Sequence, residues 1–148
     1  MDLGCLVEDT IESMRMMFNT HKIDVLYNCD SDDEIYIYGD YNRLKQVFVN
    51  VFKNSCEAIK ENGKIEIKLK VNKKYVTVSI KDDGPGIKEE EIEKIDELFY
   101  SSKDKGCGIG VSLSKEIVRL HDGEMKYVSR YGEYTEVIIK LCLYNDLH

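Results

Sequence analysis

Asn50 and Asn54 stand one helical turn apart in the segment 46–59, with Lys53 and Glu57 alongside. At about 100° per residue, Asn50, Asn54 and Glu57 fall within one arc, while Leu44, Phe48, Val51, Ser55 and Ile59 gather on the opposite one. A solvated helical face is usually built from Glu and Lys, whereas asparagine has little helix propensity. What it offers instead is a neutral amide oxygen, a hard ligand suited to a divalent cation that carries phosphates. The plainer alternative is an amphipathic helix with a half-exposed polar face.

A second group is Asp82-Asp83-Gly84-Pro85-Gly86-Ile87. Here a carboxylate follows a predicted strand and precedes backbone bare enough for something flat to approach. By itself this run would serve equally well as a tight surface turn. A third group, Gly106, Gly108 and Gly110, precedes a predicted helix from Val111 to Leu120, where open amides and the positive helix end can meet anionic oxygens. The spacing fails the dinucleotide fingerprint, whose third glycine would fall at Leu113, and the chain has no Gly-Lys-Ser/Thr of a P-loop. The catalytic-loop and Asp-Phe-Gly signatures of eukaryotic-type protein kinases are also missing.

In order, the asparagine helix, the Asp82 run, Leu98-Phe99-Tyr100-Ser101-Ser102-Lys103, the three glycines and Gly132-Glu133-Tyr134-Thr135 resemble the ATP-binding catalytic domain of sensor histidine kinases, within the larger group that includes gyrase and the mismatch-repair ATPases. The lead-in Asp40-Tyr41-Asn42-Arg43-Leu44-Lys45-Gln46-Val47 resembles that family's approach to its asparagine helix, so the likeness spans nearly the whole chain. The resemblance implies that Asp82 accepts a hydrogen bond from the adenine amino group, that Gly84 and Gly86 let the base pack closely, and that Thr135 lies across the base. It implies that Asn54 binds Mg²⁺ directly, with Asn50 assisting and Lys53 or Glu57 at the edge. Residues 99–107 would form a lid over ATP, entered through Phe99, Ser101, Ser102 and Lys103, with Lys103 reaching the phosphates. Ile87, Gly106, Gly108, Ile109, Gly110 and Val111 complete the implied nucleotide contacts.

Members of the superfamily that hydrolyse ATP, and the anti-sigma serine kinases, carry glutamate at the position of Asn50. An amide is no general base near neutral pH. The implied activity is therefore transfer of the γ-phosphoryl group to a histidine on a separate dimerisation domain, followed by a response regulator. Of His21, His121 and His148, none has the sequence context of the acceptor, so the chain is expected to be a catalytic part acting on a helical hairpin elsewhere in the full-length protein, or on a partner in trans. The alternatives are a degenerate module that holds nucleotide or a partner without phosphotransfer, and a superfamily hydrolase or serine kinase. Three positions depart from the family pattern: Ser55 stands for alanine, Cys107 for threonine and Tyr134 for glycine. Tyr134 is expected to crowd the adenine pocket, and Cys107 to lie near the phosphates.

A chain of 148 residues, 43% hydrophobic and 33% charged, suits one globular domain spanning 1–148 with one core. Its apolar runs are too short for a bilayer and its first residues lack a signal-peptide pattern, so a cytoplasmic setting without membrane contact is expected. A net charge of −7 argues against nucleic-acid binding. It also requires cations gathered locally for a nucleotide, and Lys53, Lys103 and Lys105 are the candidates. The five cysteines have no zinc-ligand spacing and are read as reduced thiols. A monomer is expected without the helical hairpin.

The elements that must position these groups follow from hydrophobic period. Residues 3–18 read as one amphipathic helix, and Ile23-Val25-Tyr27 and Ile35-Ile37 as two early strands. Asp40 should cap the asparagine helix, and Asn62-Gly63 should close it through a positive φ. Two strands joined at Asn72-Lys73-Lys74 form a hairpin, residues 88–97 a short charged helix with Ile92, Ile95 and Leu98 inward, and residues 109–120 a last helix. His121 should sit at that helix's C-terminus as a partly positive ring. Strands 124–128 and 136–143 close the chain. The sum is an α/β two-layer sandwich: a mixed, largely antiparallel sheet of about five strands with three main helices on one face.

Overall fold

The computed structural model describes residues 1–95 and 107–144. Five strands form one mixed sheet in the order β1-β2-β3-β5-β4: β1 Ile23–Cys29, β2 Gly63–Val71, β3 Tyr75–Asp82, β4 Glu124–Arg130 and β5 Tyr134–Cys142. β1 and β2 are parallel and the other pairings antiparallel. The parallel pair needs a crossover, which is α3 (Tyr41–Ile59). Helices α1 (Leu3–Ser13) and α5 (Cys107–Leu120) accompany it, with short α2 (Arg15–Thr20) and α4 (Glu89–Ile95). The expected two-layer architecture is therefore present.

Strand alternation separates the faces. Ile65, Ile67 and Leu69 of β2, Val76, Val78 and Ile80 of β3, and Val137, Ile139 and Leu141 of β5 are buried beneath the helices. The alternate positions face outward and are mostly polar. α3 docks through Leu44, Val47, Phe48, Val51, Phe52 and Cys56, all buried. Phe52 meets Phe18 edge to face, with ring centroids 5.9 Å apart. Burying side chains of this size contributes about 1.5–3 kcal/mol each. The apolar arc thus fixes which way α3 is turned, and hence where its asparagines go. Asp40 caps the helix as expected, accepting from the Arg43 amide at 3.2 Å.

Four local expectations are corrected. The opening helix is two helices with a turn at Met14 (φ −104°, ψ 8°), where Thr10 and Ser13 hydroxyls bond back to the Leu6 and Thr10 carbonyls; such back-bonding bends helices. Ile35 and Ile37 are buried but form no second early strand: Tyr36 makes a single bridge to Asp2, off the sheet. Asn62-Gly63 does not close α3 as written, because the positive φ values fall on Lys60 (69°) and Asn62 (59°), and Gly63 opens β2. The last helix starts at Cys107, so Gly108 and Gly110 lie inside its first turn instead of ahead of it. Ile92 is half-buried; Ile95's side chain and Leu98 lie outside what is described.

Candidate nucleotide site

Asp82 is the last residue of β3 and stands opposite Thr135 of β5 in the ladder. Both point to the helix side of the sheet, 4% and 8% exposed. Next to them runs the C-terminal half of α3, whose Ser55 hydroxyl donates to the Asp82 carboxylate. The Gly84 amide donates to Asp82 Oδ1 at 2.9 Å. Burial pushes the Asp82 carboxyl above the ordinary carboxylate range, Asp83 adds to that, and the Gly84 and Ser55 donors pull against it. The result is a buried acceptor held by two donors of its own, the chemistry needed to meet an amine.

Close approach explains the two glycines after it. A Cβ on Gly84 would come within 2.9 Å of Asp82 Oδ1 and 3.5 Å of Ala58, where α3 passes. Gly86 has φ +75°, and a Cβ there would collide with the Arg130 carbonyl and lie 3.0 Å from Tyr131 Cα. The segment is tied down by Gly132 N–H donating to the Pro85 carbonyl at 2.5 Å. The Ile87 amide donates to Ser129 Oγ at 2.7 Å. That same hydroxyl donates to the Tyr134 carbonyl at 2.8 Å and lies 3.2 Å from Thr135 Oγ1. Ser129 therefore connects Ile87 to Thr135, a role the sequence reading missed; its position facing Thr135 across the β4–β5 hairpin is the signal that could have found it.

On α3, Asn50, Asn54 and Glu57 are half-buried and Lys53 is exposed. Asn50 Nδ2 donates to Ser114 Oγ of α5 at 3.3 Å, so this amide spans two helices. Ser114 was also missed, although it lies one turn after Gly110. Cys56, behind the asparagine face, has its thiol pushed up to about 11 by burial, with smaller contributions from Glu57 and Asp82, and is inert as a nucleophile. Val111 is buried at the start of α5. The first-turn amides of α5, Cys107 to Gly110, have no helical acceptor of their own. Phe99, Ser101, Ser102, Lys103, Lys105 and Gly106 lie outside the described residues, as do the side chains of Cys107 and Ile109. Among the described residues, no three His, Cys, Asp or Glu side chains gather as a metal-ligand set.

Two expectations about side chains change. Tyr134 does not crowd the face that carries Asp82 and Thr135: strand alternation sends it to the outer face, where its ring lies under Lys81 with Nζ 4.5 Å from the centroid. His121 ends α5, but its Nε2 accepts the Asp40 N–H at 3.0 Å while Nδ1 donates to the Ile117 carbonyl at 2.7 Å. Those roles need the neutral ring, not a charged one.

Residues 39–145 match the family described as histidine kinase-, DNA gyrase B-, and HSP90-like ATPases. The chain belongs to that family. This ATPase domain is 37% identical over 119 residues to sporulation kinase C of Bacillus subtilis (strain 168), covering 80% of the chain and 28% of that protein. It is 33% identical over 141 residues to sporulation kinase B of the same organism, covering 95% and 32%. The domain thus spans less than a third of the length of either kinase. Its fold matches the nucleotide-free catalytic domain of histidine kinase ThkA at TM-score 0.85 and 29% identity, covering 95% of this chain and 94% of that one. A structure of ThkA in complex with the response regulator TrrA matches at TM-score 0.83 and 27% identity, over 100% of this chain and 42% of that one. The Bergerat-type architecture and the histidine-kinase type of the domain are thereby established. Among the described residues no helix is long and apolar enough to cross a membrane.

Proposed function

We propose that this domain binds Mg-ATP and donates its γ-phosphoryl group to a histidine on a separate dimerisation domain, as the catalytic part of a two-component sensor kinase whose response regulator receives the phosphoryl group next. The observation that carries the reading is the buried pair Asp82 and Thr135, facing one another beside glycines whose Cβ positions are closed. Asp82 accepts from the adenine amino group, which favours adenine over guanine, whose carbonyl would oppose the carboxylate. Gly84, Gly86 and Ile87 bound the base. The phosphates extend toward Asn50, Asn54, Lys53 and the first-turn amides of α5, with Phe99, Ser101, Ser102, Lys103 and Gly106 as the proposed lid side.

Asn54 is the proposed Mg²⁺ ligand, its half-buried amide oxygen fitting an ion that keeps several waters and takes few protein ligands. When bound, that ion neutralises charge on the transferring group. Glu57 borders it. Asn50 offers no base and is already engaged by Ser114, which suits a domain that places the phosphate without activating water. The acceptor imidazole nitrogen forms the N–P bond as the bond to the β-phosphate's bridging oxygen breaks, and ADP leaves with that electron pair.

Two histidines of this chain are otherwise employed. His121 braces Asp40 and Ile117, and His21 Nδ1 pairs with the Lys60 carbonyl at 2.6 Å. The acceptor is therefore sought on another polypeptide segment. Incubating the domain with γ-labelled ATP, Mg²⁺ and a phosphoacceptor fragment should give acid-labile, base-stable label on histidine. Acid-stable label or free phosphate alone would overturn the reading. Nucleotide binding without label on any acceptor fragment tried would favour a binding module.

A further inference from the structure

The outer face of the sheet carries charge of the opposite sign to the chain. Lys70 of β2 and Lys140 of β5 flank Thr77 of β3 in one cross-strand row. Strand spacing places their backbones about 10 Å apart. One row on, Lys68 sits beside Ser79, and Lys81 follows along β3. Lys68, Lys70 and Lys81 line a shallow cavity of about 300 Å³ on β2, β3 and β5 with Thr77, Ser79, Glu66 and Glu136, and Lys140 lies beside it in the Thr77 row.

Two carboxylates share this floor. Glu66 is shared by Lys64 at 3.2 Å and Lys68 at 4.0 Å, and Glu136 accepts from the Ser79 hydroxyl. Lys140 lies with Nζ 4.0 Å from the Tyr75 ring centroid, and Lys81 rests on Tyr134. Aromatic seats hold these two ammonium groups in place, with Glu66 and Glu136 the ladder neighbours of Lys81 and Glu124 that of Lys140. Over these three rows Lys68, Lys70, Lys81, Lys126 and Lys140 outnumber Glu66, Glu124 and Glu136, a positive surplus on a chain of net charge −7 that is concentrated where Lys70 and Lys140 flank Thr77.

We infer that this face is a docking surface for a short acidic segment of a partner protein, its carboxylates meeting Lys70 and Lys140 over the Thr77 hydroxyl. Charge complementarity selects the occupant. The limited extent of the patch selects its length, because a long polyanion such as nucleic acid would run from it onto surface of its own sign. The nucleotide site lies on the other side of the sheet, so this surface is independent of the phosphotransfer reading.

The test is titration of the isotope-labelled domain with a glutamate-rich peptide, with a glutamine-rich peptide of equal length and a short oligonucleotide as comparators, followed by amide chemical shifts. Saturable shifts at Lys70, Thr77, Ser79 and Lys140 are expected with the glutamate peptide alone. Affinity should fall roughly tenfold in the Lys70→Glu/Lys140→Glu double variant, and with added salt. Both positions lie on the outer face, and Lys70→Gln/Lys140→Gln serves if the reversal disturbs folding, with a smaller loss expected. Equal response to the glutamine peptide, shifts scattered over other surfaces, undiminished affinity in the variants, or preference for the oligonucleotide would each overturn the inference.

Discussion

His121 accepts the backbone N–H of Asp40, so the residue that ends α5 holds the residue that caps α3. The helix with the asparagines and the helix with the glycines are joined at one end by this bond and further along by Asn50 and Ser114. His121→Ala removes both ring hydrogen bonds and leaves the Asp40 amide and the Ile117 carbonyl without their partner. A loss of about 1–3 kcal/mol is expected, read by chemical denaturation, with faster amide exchange at the start of α3. Unchanged exchange there would show that the bond braces nothing.

Asp82→Asn should weaken adenine nucleotide binding by about tenfold or more, since a charge-assisted hydrogen bond is lost. Calorimetric titration with ATP and GTP checks it: ATP affinity should fall and the preference over GTP shrink. Equal titration curves for parent and variant would remove Asp82 from the base-reading role.

The same substitution has a distinct pH signature. Burial raises the folded Asp82 carboxyl above its unfolded value, so the folded state holds this proton more tightly. Its stabilising contribution is fully present below the unfolded carboxylate range and is lost as pH climbs through the raised folded value. Denaturation of Asp82→Asn against the parent should therefore show the variant gaining relative stability from acid to neutral pH. A difference that is flat across that window would contradict the raised carboxyl.

Ser55→Ala deletes one of the two donors that oppose burial at Asp82. The acid limb of ATP binding should then move to higher pH while affinity well above it changes little. A uniform loss at every pH would assign Ser55 to packing instead.

Asn54→Ala should abolish the Mg²⁺ dependence of ATP binding and leave metal-free nucleotide binding close to the parent's. Titrations in Mg²⁺ and in chelator separate the two. Unchanged Mg²⁺ dependence would place the ion's protein ligand elsewhere.

Much of this arrangement is legible in the sequence because each element's hydrophobic period dictates which way its polar residues turn. The buried arc of Phe48, Val51 and Ser55 forces Asn50, Asn54 and Glu57 to the other side of α3, and alternation along β3 carries Asp82 inward with Val78 and Ile80. What the pattern did not reveal came from contacts between segments distant in sequence. Ser129 bonds Ile87 from 42 residues away, and Ser114 meets Asn50 from 64 away. A serine has no periodic signature that announces such a partner. Ile35 and Ile37 misled for a related reason: alternation signals burial on an extended segment, but only a neighbouring strand makes that segment part of a sheet.

Strand parity at the end of β5 has a practical corollary. Adjacent residues 134 and 135 look out on opposite sides of the sheet, so a small reporter dye attached at position 134 would sit within one peptide unit of the Thr135 hydroxyl without obstructing it. The fluorescence of such a probe would register arrivals on the lysine face while the ligand cleft behind it stayed open.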